Sequence, residues 1–294
     1  MRITEGRIAS DFLTSVNKNR ESIVTLQSQL ASGKKVMKVS DDPIAADAIL
    51  RLQAGLDRND QYQKNVTDGQ GALESTASYL DSMVSLVSKA KTIVVQSQDG
   101  QQVSSMKAYG DQLNQMINEG ITIGNAQFNG KYIFAGTKTT TSPYSLSATT
   151  PQTVVFNGDA NNLMYPTGDS FQQQVSVSGA EAFGGTALFD TMIRIRDSLT
   201  AGTPPAAADV AALSQSMDTL TQTSSKVGSL MQSLDSQANH LTEQTSQLRS
   251  LLSGEQDTDV AEATLKLKLN QTMLDAALNT GSQILPKSLL DFLR

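Results

Sequence analysis

The 294-residue chain has no cysteine and no tryptophan, and its single histidine is His240. Disulfides, thiolate metal sites and thiol nucleophiles are therefore excluded, as are metal centres that need several histidines. Aromatic residues make up only 5% of the chain, too few for a large globular core. The net charge is −6 and no basic patch is visible, so nucleic acid is not an expected partner. There is no run of about twenty apolar residues, so no membrane span is expected. The opening "MRITEGRIASDFLTSV" lacks the continuous apolar segment of a cleaved secretory signal. The expectation is a cytoplasmic protein, or one that leaves the cell by a route without such a signal.

What the chain does have is a long seven-residue rhythm. Leu52, Asn59, Val66, Leu73, Leu80, Val87 and Val94 recur at that interval, with Leu56, Gln63, Gln70, Ala77 and Val84 between them. A second ladder runs through Leu213, Leu220, Val227, Leu234, Leu241 and Leu248, with companions Met217, Ser224, Met231, Ala238, Thr245 and Leu252. Repeats of this length need a partner helix wound alongside. Because the ladders lie far apart in sequence, the simplest solution is a chain that folds back and pairs its two halves.

Shorter helical faces flank the ladders. Ile8, Phe12, Val16, Ile23, Leu26 and Leu30 give the first thirty residues one apolar stripe, and Val260, Leu267, Leu274 and Leu278 give another near the end. Asp259 precedes Glu262 by three residues, a helix-start signature. Met106, Tyr109, Leu113, Met116 and Ile117 mark a further helix that ends among Gly120 and Gly124. After Pro286, the cluster Leu289, Leu290, Phe292 and Leu293 has little core to join and reads as an association surface.

Between about residues 131 and 200 the texture changes. Asn157-Gly158 follows a β-branched run, as at a hairpin turn. Phe171, Gln173, Val175 and Val177 alternate with polar residues, as on a half-buried strand. The expected organisation pairs residues 1–40 with 258–294, builds a helical rod from 41–130 and 185–257, and inserts a β-rich domain at 131–184. The fold class is mainly α: a long antiparallel helical rod with paired terminal coiled-coil helices and a small β-rich insertion.

The stretch "LASGKKVMKVSDDPIAADAIL", residues 30–50, could suggest chemistry. Gly33-Lys34, however, lacks the upstream glycine and following hydroxyl of a phosphate loop. Gly33 reads instead as a left-handed helix cap, Asp41 or Asp42 as the cap of the next helix, and Pro43 as its first residue. His240 stands one residue before a ladder position and has no second histidine with which to share a metal. No serine elbow or calcium-loop spacing occurs. No catalytic residue, cofactor or metal site is expected.

Laid out this way, the chain resembles the bacterial flagellin superfamily, and within it the members that join hook to filament. The resemblance rests on the 30–50 joint, on "GNAQFNGKYIFAGTKT", on "VSVSGAEAFGG" followed by "LFDTMIRIRDSL", and on "LNQTMLDAALNTGSQILPKSLLDFLR". It implies paired terminal helices and an outward β-domain, with export through the flagellar secretion apparatus and an extracellular location in the flagellum. It also implies self-association into a ring, with hook-associated protein 1 on the hook side, flagellin on the filament side, and an export chaperone. Filament flagellin and a coiled-coil scaffold are the alternatives.

Overall fold

The computed structural model describes residues 2–98, 102–147 and 152–284. The tail cluster Leu289, Leu290, Phe292 and Leu293 and the side chain of Ile8 lie outside the described residues. In chain order the helices are α1 (Arg2–Ser32), α2 (Pro43–Gln98) and α3 (Val103–Gly124), then α4 (Gly179–Ala182), α5 (Ala187–Thr200), α6 (Ala207–Gln256) and α7 (Val260–Ile284). Between α3 and α4 lie three two-stranded antiparallel ladders. They pair β1 (Gln127–Phe128) with β2 (Lys131–Tyr132), β3 (Tyr144–Leu146) with β4 (Val154–Phe156), and β5 (Met164–Pro166) with β6 (Gln172–Gln174). The chain is thus mainly α with a small strand-bearing insertion.

It divides into two compact units. A terminal unit contains residues 1–58 and 245–294, and a central unit contains residues 59–244. Helices α2 and α6 each contribute one end to the terminal unit.

In the central unit, Val66, Leu73, Leu80, Val87 and Val94 of α2 are fully buried, as are Leu220, Val227 and Leu234 of α6. Leu213 and Leu241 are buried with them. Helix α2 also meets α6 through a polar contact, the Gln70 amide donating to Asp235 at 3.0 Å. The companion row of α2 differs from the expected one. Thr76, Met83, Ala90 and Ser97 occupy the interior, one residue before the apolar Ala77 and Val84, which are half-buried. Polar residues can sit there because their own helix satisfies them. Thr76 donates to the Ala72 carbonyl at 2.7 Å, and Ser97 to that of Val94 at 2.7 Å. Gly69 belongs to the same row. A Cβ there would lie 3.3 Å from Leu234 Cδ1 and 2.6 Å from Val175 Cγ1, so only glycine lets the insertion reach α2.

Helices α3 and α5 pack on each other, and the core extends through Leu113, Ile117, Leu188, Met192, Ile195 and Leu199. An aromatic group then ties the insertion to the helices. The Tyr144 ring lies 5.0 Å from Phe189 and 5.1 Å from Phe156, and Phe183 packs on Phe134 at 4.8 Å. The buried Tyr144 hydroxyl donates to the Gly185 carbonyl at 3.1 Å, and burial pushes its pKa well above the ordinary phenol range.

The strand expectations need correction. The two-residue hairpin turn is Asn129-Gly130, with φ of 50° and 75°, between β1 and β2, as a primed turn requires. Asn157-Gly158 instead follows β4, and Asn157 N–H bonds the Pro143 carbonyl at 2.8 Å. Gln173, Val175 and Val177 are buried, but so are Ser176 and Ser178, Phe171 is 51% exposed, and the strand covers only Gln172–Gln174, so the alternation does not mark one half-buried strand.

Candidate functional site

The residues singled out for assembly fall in the terminal unit, where α1 packs against α7. The inward positions of α1 are Phe12, Val16, Asn19, Ile23, Leu26 and Leu30, all buried or half-buried. Those of α7 are Ala263, Leu267, Asn270, Leu274, Ala277 and Gly281, buried to the same degree. Both rows step by four and three residues in alternation, which is the knobs-into-holes spacing. Asn19 donates its amide to the Asn270 carbonyl at 3.1 Å. Leu278, expected on the inner face, is 53% exposed; the row passes through Ala277 instead. The smaller residue is the one that fits there.

The joint is built largely from backbone. Gly33 has φ of +71°, and its N–H bonds the Gln29 carbonyl at 2.8 Å, closing α1 in a left-handed cap. The next residues zip onto the turn between α6 and α7. Lys35 N–H donates to the Gln256 carbonyl at 2.7 Å, and Thr258 N–H to that of Gly33 at 2.9 Å. The two aspartates divide the work. Asp41 accepts from the N–H groups of Met37 and Lys38 at 3.1 and 2.9 Å. Asp42 caps α2, accepting from Ile44 and Ala45 at 3.0 Å each, with Pro43 at the position where no N–H is needed. Asp259 caps α7 in the same way, through Ala261 and Glu262. Beneath the joint, Val36, Ala45, Ala46 and Ile49 form a small core with Leu252. The ladder ends Leu52 and Leu248 are half-buried here, with Leu248 3.5 Å from where a Gly55 Cβ would stand.

The outer surface of this unit is unusually apolar. Of 17 large apolar side chains exposed among the described residues, 12 belong to it. Leu265, Leu269 and Met273 follow one another along α7 at 71%, 58% and 55% exposure, and Ile44 beside the joint is 85% exposed. A surface of that kind marks association. The sequence reading missed this second face of α7 because it sought one stripe per helix.

Among the described residues, no group of three or more His, Cys, Asp or Glu could hold a metal ion, and His240 is exposed. No described helix is long and apolar enough to cross a membrane.

Two regions of the chain match known families: residues 3–139 match the bacterial flagellin N-terminal helical region, and residues 210–293 the C-terminal helical region. Flagellar hook-associated protein 3 of Escherichia coli (strain K12) is 24% identical over 202 residues, covering 65% of this chain and 58% of that protein. Its Salmonella typhimurium (strain LT2) counterpart is 26% identical over 152 residues, covering 49% and 46%. The chain thus spans about half the length of these relatives. Flagellin of Listeria monocytogenes is 28% identical over 100 residues, covering 34% of this chain and 35% of that one. In three dimensions the chain resembles FlgL of Bacillus cereus, with a TM-score of 0.59 at 20% identity, covering 69% of this chain and 99% of that one. It also resembles a Vibrio parahaemolyticus protein assigned to the flagellar hook-associated class, with a TM-score of 0.66 at 20% identity, covering 74% and 100%. At that identity the likeness is one of fold.

Proposed function

Since the chain belongs to the bacterial flagellin family, we propose that it is a structural subunit of the flagellum that joins the hook to the flagellin filament. The observation that carries this reading is the concentration of outward apolar side chains on the terminal unit, a surface suited to neighbouring subunits. Copies associate into a ring, with hook-associated protein 1 on the hook side and flagellin on the filament side. The subunit is exported through the flagellar secretion apparatus, escorted by a chaperone that covers apolar surface.

Of the assembly residues, Phe12, Val16, Ile23 and Leu274 act by pairing α1 with α7, and Leu278 lies on the outward face. Ile8, Leu289, Leu290, Phe292 and Leu293 are added to them on their apolar character in the sequence alone. The ladder residues from Leu52 to Val87 and from Leu220 to Leu248 hold the subunit together, and Gly33, Asp41, Asp42 and Pro43 shape the joint.

Electron microscopy of a deletion strain tests the reading. The expected result is hooks without filaments and flagellin lost to the medium, restored by the full chain but not by a chain ending at Lys287. Filament flagellin is the second reading, favoured by the match to Listeria flagellin. In that case the deletion removes flagellin from the medium, and the junction reading is wrong.

A further inference from the structure

We infer that the α1–α7 seam carries a size code that holds each chain's two ends to each other and rejects the ends of other copies. Phe12 and Gly281 are its deciding pair, and Asn19 is its polar check. The inference rests on the assembly reading in one respect: assembly sets the ends of several copies side by side, so exchange of partners becomes an available error.

The two inward rows are unequal. The α1 row carries Phe12, Val16, Ile23, Leu26 and Leu30, whereas the α7 row carries Ala263, Ala277 and Gly281 among its two leucines. At one end the pairing is tight: a Cβ on Gly281 would fall 2.7 Å from Phe12 Cε1. Following the antiparallel rows from that contact sets Val16 level with Ala277, Leu26 with Leu267, and Leu30 with Ala263. Larger side chains therefore meet small ones at three of the six levels, including both ends of the seam. An α1–α1 pair would set large against large, and an α7–α7 pair would leave gaps where two small residues face. Overpacking and voids both destabilise a seam.

Gly281 needs such an explanation. Glycine inside a helix is less favourable than alanine, yet α7 runs on to Ile284. The seated Phe12 ring supplies the reason. Asn19 adds a second criterion, because it is a polar residue in an otherwise apolar row and finds its acceptor at the Asn270 carbonyl across the seam. A polar group inside an apolar seam lowers stability and gains specificity.

Because the chain has no cysteine, an introduced pair reports unambiguously. Val16→Cys with Ala277→Cys would be placed in three full-length backgrounds: native, Gly281→Leu, and the swap Phe12→Ala with Gly281→Phe. After mild oxidation, the ratio of disulfides within a chain to disulfides between chains is read on a non-reducing gel. The within-chain product should dominate in the native background. The ratio should fall about tenfold in Gly281→Leu, the scale on which overpacking acts, and recover in the swap. An unchanged ratio in Gly281→Leu overturns the code and leaves the helix pairing intact. No within-chain product in the native background overturns both. Neither result bears on the junction role, which complementation tests separately. Gly281→Ala gives a check on sign: helix propensity alone predicts a higher melting temperature, the size code a lower one. A higher value overturns the code.

Discussion

The two units are made from the same kind of helix, even from the same two long helices, yet they dispose of their apolar side chains in opposite ways. In the central unit, Leu73, Leu80, Leu220 and Leu234 are wholly removed from water, and aromatic residues of the insertion close the core. In the terminal unit, the buried apolar side chains, as distinct from half-buried ones, are valine, alanine and a single isoleucine, while Leu265, Leu269 and Leu278 of α7 face outward. A helix pair that buries one narrow stripe gains little from tertiary packing, the main source of helix stability in proteins. The difference teaches a division of labour: the central unit folds for itself, and the terminal unit reserves its apolar surface for something else.

The largest expected effect comes from making one substitution in both units. Leu234→Asp places an unpaired carboxylate where exposure is zero, and burying such a charge without a partner is among the most costly changes known. Loss of the cooperative thermal transition of the central unit is expected by circular dichroism. Leu234→Ala should cost about 2–5 kcal/mol. Leu265→Asp, at a position 71% exposed, should leave the melting temperature within the ~0.5 kcal/mol scatter of surface changes and still abolish filament attachment. If both aspartates destabilise equally, the contrast between the units is lost.

Proteolysis sharpens the same comparison without mutation. Under limiting protease, residues 1–32 and 259–284 should be cut first and the central unit should survive, because cleavage follows local opening and opening follows sparse burial. A time course read by mass spectrometry checks this. Protection of residues 1–30 equal to that of α3 would mean that the ends are as stable alone as in assembly.

How much of this was legible depended on whether size or only polarity mattered. The row from Val66 to Val94 could be read directly, since each member is apolar. The joint was equally legible, because Gly33 and Asp42-Pro43 have few alternative uses. The companion row could not be read. Gly69, Thr76 and Ser97 are small or polar, and they lie inside because of a close approach or a local hydrogen bond, neither of which leaves a periodic signal. Asn129-Gly130 and Asn157-Gly158 are the same dipeptide, and only the pairing of strands two and three residues long separates turn from non-turn. In α7 the preference for a large residue selected Leu278 over Ala277, although the partner row of α1 already carried the bulk.

A smaller effect is expected at the joint. Asp42→Ala removes the acceptor for Ile44 and Ala45, a loss of about 1 kcal/mol for an N-cap. Asp41→Ala should instead loosen the 37–41 turn and leave the start of α2 capped. Hydrogen exchange separates the two: the first variant should speed exchange in residues 44–46, the second at 37 and 38. Identical exchange patterns would mean that the joint works as one block rather than as two separate caps.

The smallest effect is visible only in acid, and it belongs to the central unit. Glu181 sits in α4, where its carboxylate accepts from Asn162 at 2.9 Å and pairs with Lys226 of α6. Partial burial alone would raise its pKa, but the hydrogen bonds from Lys226 and Asn162, with the lysine charge, outweigh that and hold it below the usual glutamate value. A carboxylate whose folded pKa is depressed binds fewer protons folded than unfolded. Its contribution is therefore complete above the ordinary glutamate range and is lost as pH falls through the folded value. Both partners are partly solvated, so the contribution is modest and screened by salt. Glu181→Gln should accordingly lower the melting temperature slightly at pH 7, flatten its decline below about pH 4.5, and converge with the unaltered chain in stronger acid. Melting curves taken from pH 7 down to pH 3 measure that convergence. Parallel declines for the two chains would show that α4 is held to α6 by packing alone.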